Sequence, residues 1–494
     1  MSDTQARSEG EAERPSPRFS RRTAVAGAAA GVIAVGAPLL ALRSMTGEAQ
    51  DGSETRLMQA SYGDVSVFDF LNEEEAADVR GRHGRLDVTA ACQRALNSRQ
   101  NVFFPAGTYV VNADPKACLR PVGGQTITLD PAAVIQARPN ALEQYQVLLI
   151  ENVENVTVQG GTIVGERSAH RGTTGEHGMG IGIFGSRNVT VREVAVRECW
   201  GDGIYVGGRG FEGRSANVRI ERCLCDGNRR QGLTIAAVDA CSVIGGRFIR
   251  TQGTLPASGI DIEPNRDKPG ATEILIQDAD CSDNAGHGLT LSQVHTRDVK
   301  IVRLVAHRNG MSGISGGYPG GDVVIDRAEC HDNGEHGIHI FGAKTYVSKR
   351  IDILSPDCRR NRGNGIIVGP NIDGFSIKNG VVADNGEHGL ACTGEGGEVC
   401  DNGVIAGMHI HSNSQRSDRS FDNLMIGPSC HWIRIEDNDI DKGSGGRRPR
   451  YGVNVETDGA VTMVRNELSQ AGESANARGI GKPKVVARGN SGLG

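Results

Sequence analysis

From Gly180 onward the chain repeats a glycine followed by alternating apolar residues. Gly180-Ile181-Gly182-Ile183, Gly203-Ile204-Tyr205-Val206, Gly232-Leu233-Thr234-Ile235 and Gly259-Ile260-Asp261-Ile262 lead to Gly288-Leu289-Thr290-Leu291 and Gly313-Ile314-Ser315-Gly316. Gly337-Ile338-His339-Ile340, Gly365-Ile366-Ile367-Val368 and Gly389-Leu390-Ala391-Cys392 continue the series. A period of two predicts strands with one apolar face, and recurrence every two to three dozen residues predicts a solenoid. Further alternating runs lie between the glycine strands, such as Asn188-Val189-Thr190-Val191, Val218-Arg219-Ile220, Ile274-Leu275-Ile276 and Val323-Val324-Ile325, bounded by Asn, Gly and Asp turns. No unit holds a helix long enough for a parallel crossover. Each strand must therefore pair with its counterpart in the next coil, about 4.8 Å away.

Two other registers support the coil. An asparagine stands four residues before the glycine at Asn228, Asn284, Asn309, Asn333, Asn361 and Asn385. Its amide can bond turn backbone and the asparagine above and below, and it tolerates left-handed backbone. Seven residues before the glycine stand Cys225, Cys281, Cys330 and Cys358. That slot suits buried, reduced thiols packing as small hydrophobes, and the absence of CxxC pairs argues against zinc.

At these asparagines the chain resembles the pectate-lyase-like parallel β-helix superfamily, which carries internal asparagine ladders. The fold expected is all-β: a single-stranded right-handed parallel β-helix with an N-terminal capping helix. Gly63 to Phe70, a helix over 88–97 capped by Asp87, and Val102 to Tyr109 resemble the N-terminal module of that superfamily. The expected organisation is a signal and linker over 1–50 and a β-helix over 63–494. Within it, 63–150 forms the cap and first coils, 151–410 the regular coils and 411–494 irregular C-terminal coils.

Composition narrows the partners. With 69 glycines and 4% aromatics, the chain suits stacked turns better than an aromatic-centred core. A formal net charge of -5 gives no basic footprint for nucleic acid and no polybasic membrane patch. Ser20-Arg21-Arg22-Thr23 before the apolar run Ala24 to Leu42 is a twin-arginine export pattern, predicting a periplasmic or extracellular body with no stable membrane association once the signal is removed. An uncleaved N-terminal anchor is the alternative. Export after folding also fits twelve cysteines without a disulfide framework.

Chemistry is expected where the outward positions of the glycine strands turn polar. Stacked, these read Gly182, Tyr205, Thr234, Asp261, Thr290, Ser315, His339, Ile367 and Ala391. Asp261 and Glu263, two apart on one strand, should face one side with backbones roughly 6.5 to 7 Å apart. That spacing suits an acid and base pair of an inverting glycosidase, and like charge would keep one of them protonated. A solvated strand face or a calcium-binding pair is the plainer explanation. No cofactor is required, with calcium the one for which the pattern leaves room.

Polygalacturonase-type enzymes of the same superfamily place catalytic aspartates and a histidine just before the equivalent glycine. Asp202-Gly203-Ile204-Tyr205 and Gly286-His287-Gly288 resemble those segments, which implies catalytic roles for Asp202 and His287. The family's paired aspartates are absent, with Ala257-Ser258 in their slot, and His336 and His388 share the place of His287. A repetitive turn role explains His287 equally. A long loop after Gly160 carries His170, Arg171, Glu176 and His177, and its length suits lining a substrate cleft. Arg230 and Arg266 could pair with uronate carboxylates. Tyr205, Thr234, Thr290 and His339 complete the expected substrate surface.

The leading expectation is a glycoside hydrolase acting on an extracellular polysaccharide through Asp261 and Glu263, with Asp202. A polysaccharide lyase or uronate epimerase ranks second, because the outward ladder carries no Lys or Arg to neutralise a substrate acid. A non-catalytic glycan-binding or structural β-helix is third. A homotrimer is compatible with such a solenoid.

Overall fold

A computed structural model describes residues 65–493 except 209–212, 265–269, 294, 318, 343–345, 396 and 445. The twin-arginine segment and Arg266 lie outside the described residues. The described residues form one compact unit, a right-handed parallel β-solenoid of about 13 turns. Each regular coil gives one strand to each of three parallel sheets of 17, 14 and 13 strands. In one turn, Ser258–Ile262 lies on the 13-stranded sheet, Ala271–Gln277 on the 17-stranded and Asp280–Ser282 on the 14-stranded.

The period-two pattern decides which way each strand faces. Ile204, Val206, Leu233, Ile235, Ile260, Ile262, Leu289 and Leu291 all have 0% exposure. They stack in register, Ile204 on Leu233 on Ile260 on Leu289, so burial of each coil depends on its neighbours. The outward column also stacks as expected, Gly182 on Tyr205, Thr234, Asp261, Thr290, Ser315 and His339.

Asparagines form the interior ladder. Asn284 donates through Nδ2 to Asn309 at 3.0 Å, Asn309 to Asn333 at 3.0 Å, Asn333 to Asn361 at 2.9 Å and Asn361 to Asn385 at 3.0 Å. Each Oδ1 also accepts the previous asparagine's backbone N–H, and each Nδ2 reaches a carbonyl such as that of Ala306. The asparagines are not the left-handed residues. That conformation belongs to the preceding position, Asp283, Arg308, Asp332, Arg360 and Asp384, with φ between 52° and 59°. The turn places its strain on an exposed charged residue so that the amide beside it can point inward.

Two helices cap the first coils where one was expected. Thr89–Asn97 covers the expected segment from one residue later; Val88 holds the N-cap position without a side-chain cap bond, and Asp87, expected as the cap, stands one residue before it and accepts the Thr89 N–H at 3.0 Å. Glu73–Arg80 was not anticipated: its mean hydropathy is low and only Ala76, Asp78 and Val79 are buried. Asn72 and Glu75 form a reciprocal capping box at its start.

All twelve cysteines are buried and free. Cys281, Cys330 and Cys358 face inward from the 14-stranded sheet, the last two in adjacent coils, and burial pushes the Cys225 and Cys281 thiols well up. Maleimide is expected to label these thiols only after denaturation, with the melting midpoint unchanged by reductant. Labelling of native protein, followed by intact mass, would contradict this.

Candidate functional site

Asp202, Gln231, Ser258, His287, Ser312, His336, Asn364, His388 and Asp422 occupy one column, each just before a repeat glycine or its equivalent. Most serve the same local purpose. Gln231 Oε1 accepts the Ser258 N–H at 2.8 Å, His287 Nδ1 that of Ser312 at 3.1 Å, and His336 Nδ1 that of Asn364 at 3.0 Å. Asn364 Oδ1 and His388 Nδ1 accept the next N–H in turn, at 3.0 and 2.9 Å. An Nδ1 that accepts must be unprotonated, so His287 is neutral with its proton on Nε2, and burial lowers its pKa. These bonds give His287 a structural part. Replacement by asparagine, as at Asn364, is expected to keep the acceptor, leave activity near wild type and cost less than about 1 kcal/mol. Loss of turnover in His287→Asn would restore it to the reaction.

Asp202 departs from the column's pattern. It has 0% exposure, and its carboxylate accepts the Thr234 hydroxyl at 2.9 Å and faces Arg230 Nη1 at 3.4 Å. Arg230 is the hub of the site. Its side chain is 12% exposed and reaches Asp202, Glu263 at 3.3 Å and Glu176 at 3.5 Å. Burial works against its charge, but the acidic side chains around it, Asp202 first, outweigh that and hold it protonated. By strand order the long loop lies three coils from Asp261. What closes that gap is Arg230, which joins Glu176 of the loop to Glu263.

Asp261 points outward yet is buried beneath its neighbours at 1% exposure. Gln231 Nε2 donates to its Oδ2 at 2.6 Å. Its Oδ1 is buried with no donor among the described residues, and Glu263 is near enough for its charge to act on the Asp261 carboxyl. Burial first, then the Glu263 charge, raise its pKa well above the carboxylate range, with Arg230 opposing. The expected pair of wet carboxylates is thus one buried carboxyl, Asp261, beside a half-exposed Glu263. A raised carboxyl binds its proton more tightly folded than unfolded, so stability should fall as pH rises above about 4. Asp261→Asn removes that dependence, and its melting midpoint is expected to gain on wild type with rising pH while activity is lost. A constant offset between the two proteins across pH would contradict the shift.

Tyr205 lies half-buried above the cluster, stacked on Phe184 at 5.2 Å. Burial and the Asp202 charge push its phenol up to about 12. His177 and Glu176 stand at the mouth with side chains 47% and 44% exposed.

Four of the expected substrate contacts have partners within the protein. His170 is fully buried, its Nδ1 2.9 Å from Glu166 and its ring 3.8 Å from Trp200, which carries Arg229 on its face. It braces the loop and does not line a cleft, since stacking against Trp200 buries more of the ring than exposure would. Thr234 is 2% exposed and serves Asp202. Thr290 bonds Ser258 at 3.0 Å. His339 lies three coils beyond Asp261, packed against His336 and Phe341, and burial lowers its pKa to about 4. Gln231, Glu166 and Trp200 were missed. Gln231 could have been found from its place in the pre-glycine column, whereas Glu166 and Trp200 carry no periodic signal.

No family model matches this chain. Two curated proteins of Bacillus subtilis (strain 168) are similar over part of it. The uncharacterized protein YclG is 30% identical over 210 residues, covering 37% of this chain and 36% of its own length. The SPbeta prophage-derived uncharacterized protein YorA is 32% identical over 158 residues, covering 28% and 26%. The chain thus spans between about a quarter and about a third of the length of the curated relatives it matches. Among solved structures, the A-module of the Azotobacter vinelandii mannuronan C-5 epimerase AlgE6 superposes with a TM-score of 0.51 at 16% identity, covering 86% of this chain and 98% of the module. At that identity the likeness establishes the parallel β-helix fold alone.

Proposed function

We propose that this protein modifies a uronic-acid polysaccharide by moving the proton on the carbon beside the carboxylate, as an epimerase or lyase. The observation that carries this reading is Arg230, a half-buried, protonated fork held in the polar groove among Asp202, Glu263 and Glu176. Proton abstraction beside a carboxylate needs that carboxylate neutralised, and a guanidinium binds it in bidentate fashion. Asp261, held protonated by burial and by Glu263, adds no negative charge to a groove that must accept an acidic sugar.

The remaining groups divide the proton work. His177, half-exposed at the mouth, takes the proton from the substrate carbon. Tyr205, whose raised pKa keeps the phenol protonated, returns one. Return to the opposite face inverts the carbon, and expulsion of the neighbouring glycosidic oxygen leaves an unsaturated sugar. The reaction in the AlgE6 name belongs to this class, but the reading rests on the groove's own residues. Export through the twin-arginine route would bring the protein to such polymers.

Hydrolysis is the second reading, favoured by Asp261 as a buried acid beside a half-exposed Glu263. A panel of uronate and neutral polysaccharides separates the two. Ultraviolet-absorbing ends or a changed epimer ratio by NMR are expected on uronate polymers only. New reducing ends without unsaturation would establish hydrolysis, and no change in any polymer would remove both.

A further inference from the structure

We propose a divalent transition-metal site on the outer face of the 14-stranded sheet, formed by His409, Asp439 and Asp441. The strands His409–His411 and Asp439–Asp441 pair in register, His409 on Asp439 and His411 on Asp441. Ile410 and Ile440 between them have 0% exposure, so the polar residues of both strands project outward as a two-by-two square. His409 Nε2 lies 3.0 Å from Asp441 Oδ2 and 3.7 Å from Asp439 Oδ2. One ligand atom from each of the three residues falls within 4.8 Å of the others. Imidazole and carboxylate ligands bind zinc at about 2.0 to 2.2 Å, which in tetrahedral geometry separates ligand atoms by about 3.4 Å. The two measured separations bracket that edge, so the ion needs only small side-chain rotations.

Charge points the same way. Elsewhere on this face carboxylates meet arginines, Asp280 with Arg247 at 3.1 Å and Asp226 with Arg250 at 2.6 Å. Here the next coil places Glu467 opposite Asp439, and the previous one offers Val381 and Ala383. Like charges directly opposite are destabilising, and a bound cation relieves them. Asp441 is already oriented, because its Oδ1 accepts the Gly443 N–H while Oδ2 faces His409. Such tethering fixes a ligand before the ion arrives. The mixed nitrogen and oxygen set favours zinc, cobalt or a similar ion over calcium, which prefers oxygen alone. His411, its ring 4.4 Å from that of His409, stands beside the open coordination positions. The site clasps two coils near the C-terminal end and involves none of the groove residues, so it stands or falls independently of the proposed reaction.

Isothermal titration of the full chain with zinc and with cobalt, alongside His409→Ala and Asp441→Asn, tests this. The expected result is one ion per chain, a rise in melting midpoint with metal, and visible cobalt absorption of a nitrogen and oxygen site. Each variant, folded by circular dichroism, should weaken binding by about tenfold or more. Absence of saturable zinc or cobalt binding, binding unchanged in both variants, or binding of calcium alone would each overturn the site.

Discussion

Arg230→Ala is expected to abolish most turnover of a uronate polymer, lowering kcat/KM by about 10²–10³-fold, the scale for losing one preorganised charge-stabilising donor. Arg230→Lys should recover only part of this, because an ammonium keeps the charge but not the planar fork. The same alanine variant strips the counterion from Asp202, which has 0% exposure. That carboxyl, already raised by burial with Arg230 opposing, should climb further. A higher folded-state pKa means stability lost as pH rises, so the variant should lose more stability at alkaline than at acid pH. Steady-state kinetics and melts across pH read both effects. Full activity in Arg230→Ala would remove the carboxylate-neutralising role and the proposed reaction with it.

Asn333→Ala is expected to be the most damaging single change to the fold, costing about 2–5 kcal/mol. Asn333 Oδ1 accepts both the backbone and the side-chain N–H of Asn309, and its Nδ2 serves the Ala306 carbonyl and Asn361. Alanine leaves several buried polar groups without partners, each costing about 1–3 kcal/mol before relaxation or water entry. Asn333→Asp is a sharper probe, since it keeps shape and acceptor while losing the two donors and burying a charge. Chemical denaturation measures both, and a cost below that of an exposed asparagine such as Asn402 would contradict the ladder's importance.

The groove and the metal square arise from the same geometry. In a parallel coil every outward residue has a neighbour about 4.8 Å above and below, so a cluster needs only two or three suitable residues in consecutive coils. Asp202, Arg230 and Glu263 come from three successive coils, and His409 and Asp441 from two. Reactive clusters can therefore form on any face, with residues roughly thirty positions apart in sequence.

What the sequence determined by itself was the register. Apolar alternation after each glycine is sufficient to direct Ile260 and Ile262 inward and Asp261 outward, because period two is a property of the strand and needs no distant information. The asparagines and cysteines, recurring at fixed offsets, declared the interior ladder for the same reason. Only the tertiary structure decided what outward meant at each position. Asp261 is outward and buried, because Arg230, Gln231 and Glu263 close over it. His170 sits in a long loop and is inside, because Trp200 and Glu166 receive it. Arg230 lies outside the periodic ladder; the sequence offered it as a partner for uronate carboxylates, and only stacking brought three acids to its guanidinium. Side-chain reach across coils is a three-dimensional quantity, and the linear pattern holds no record of it.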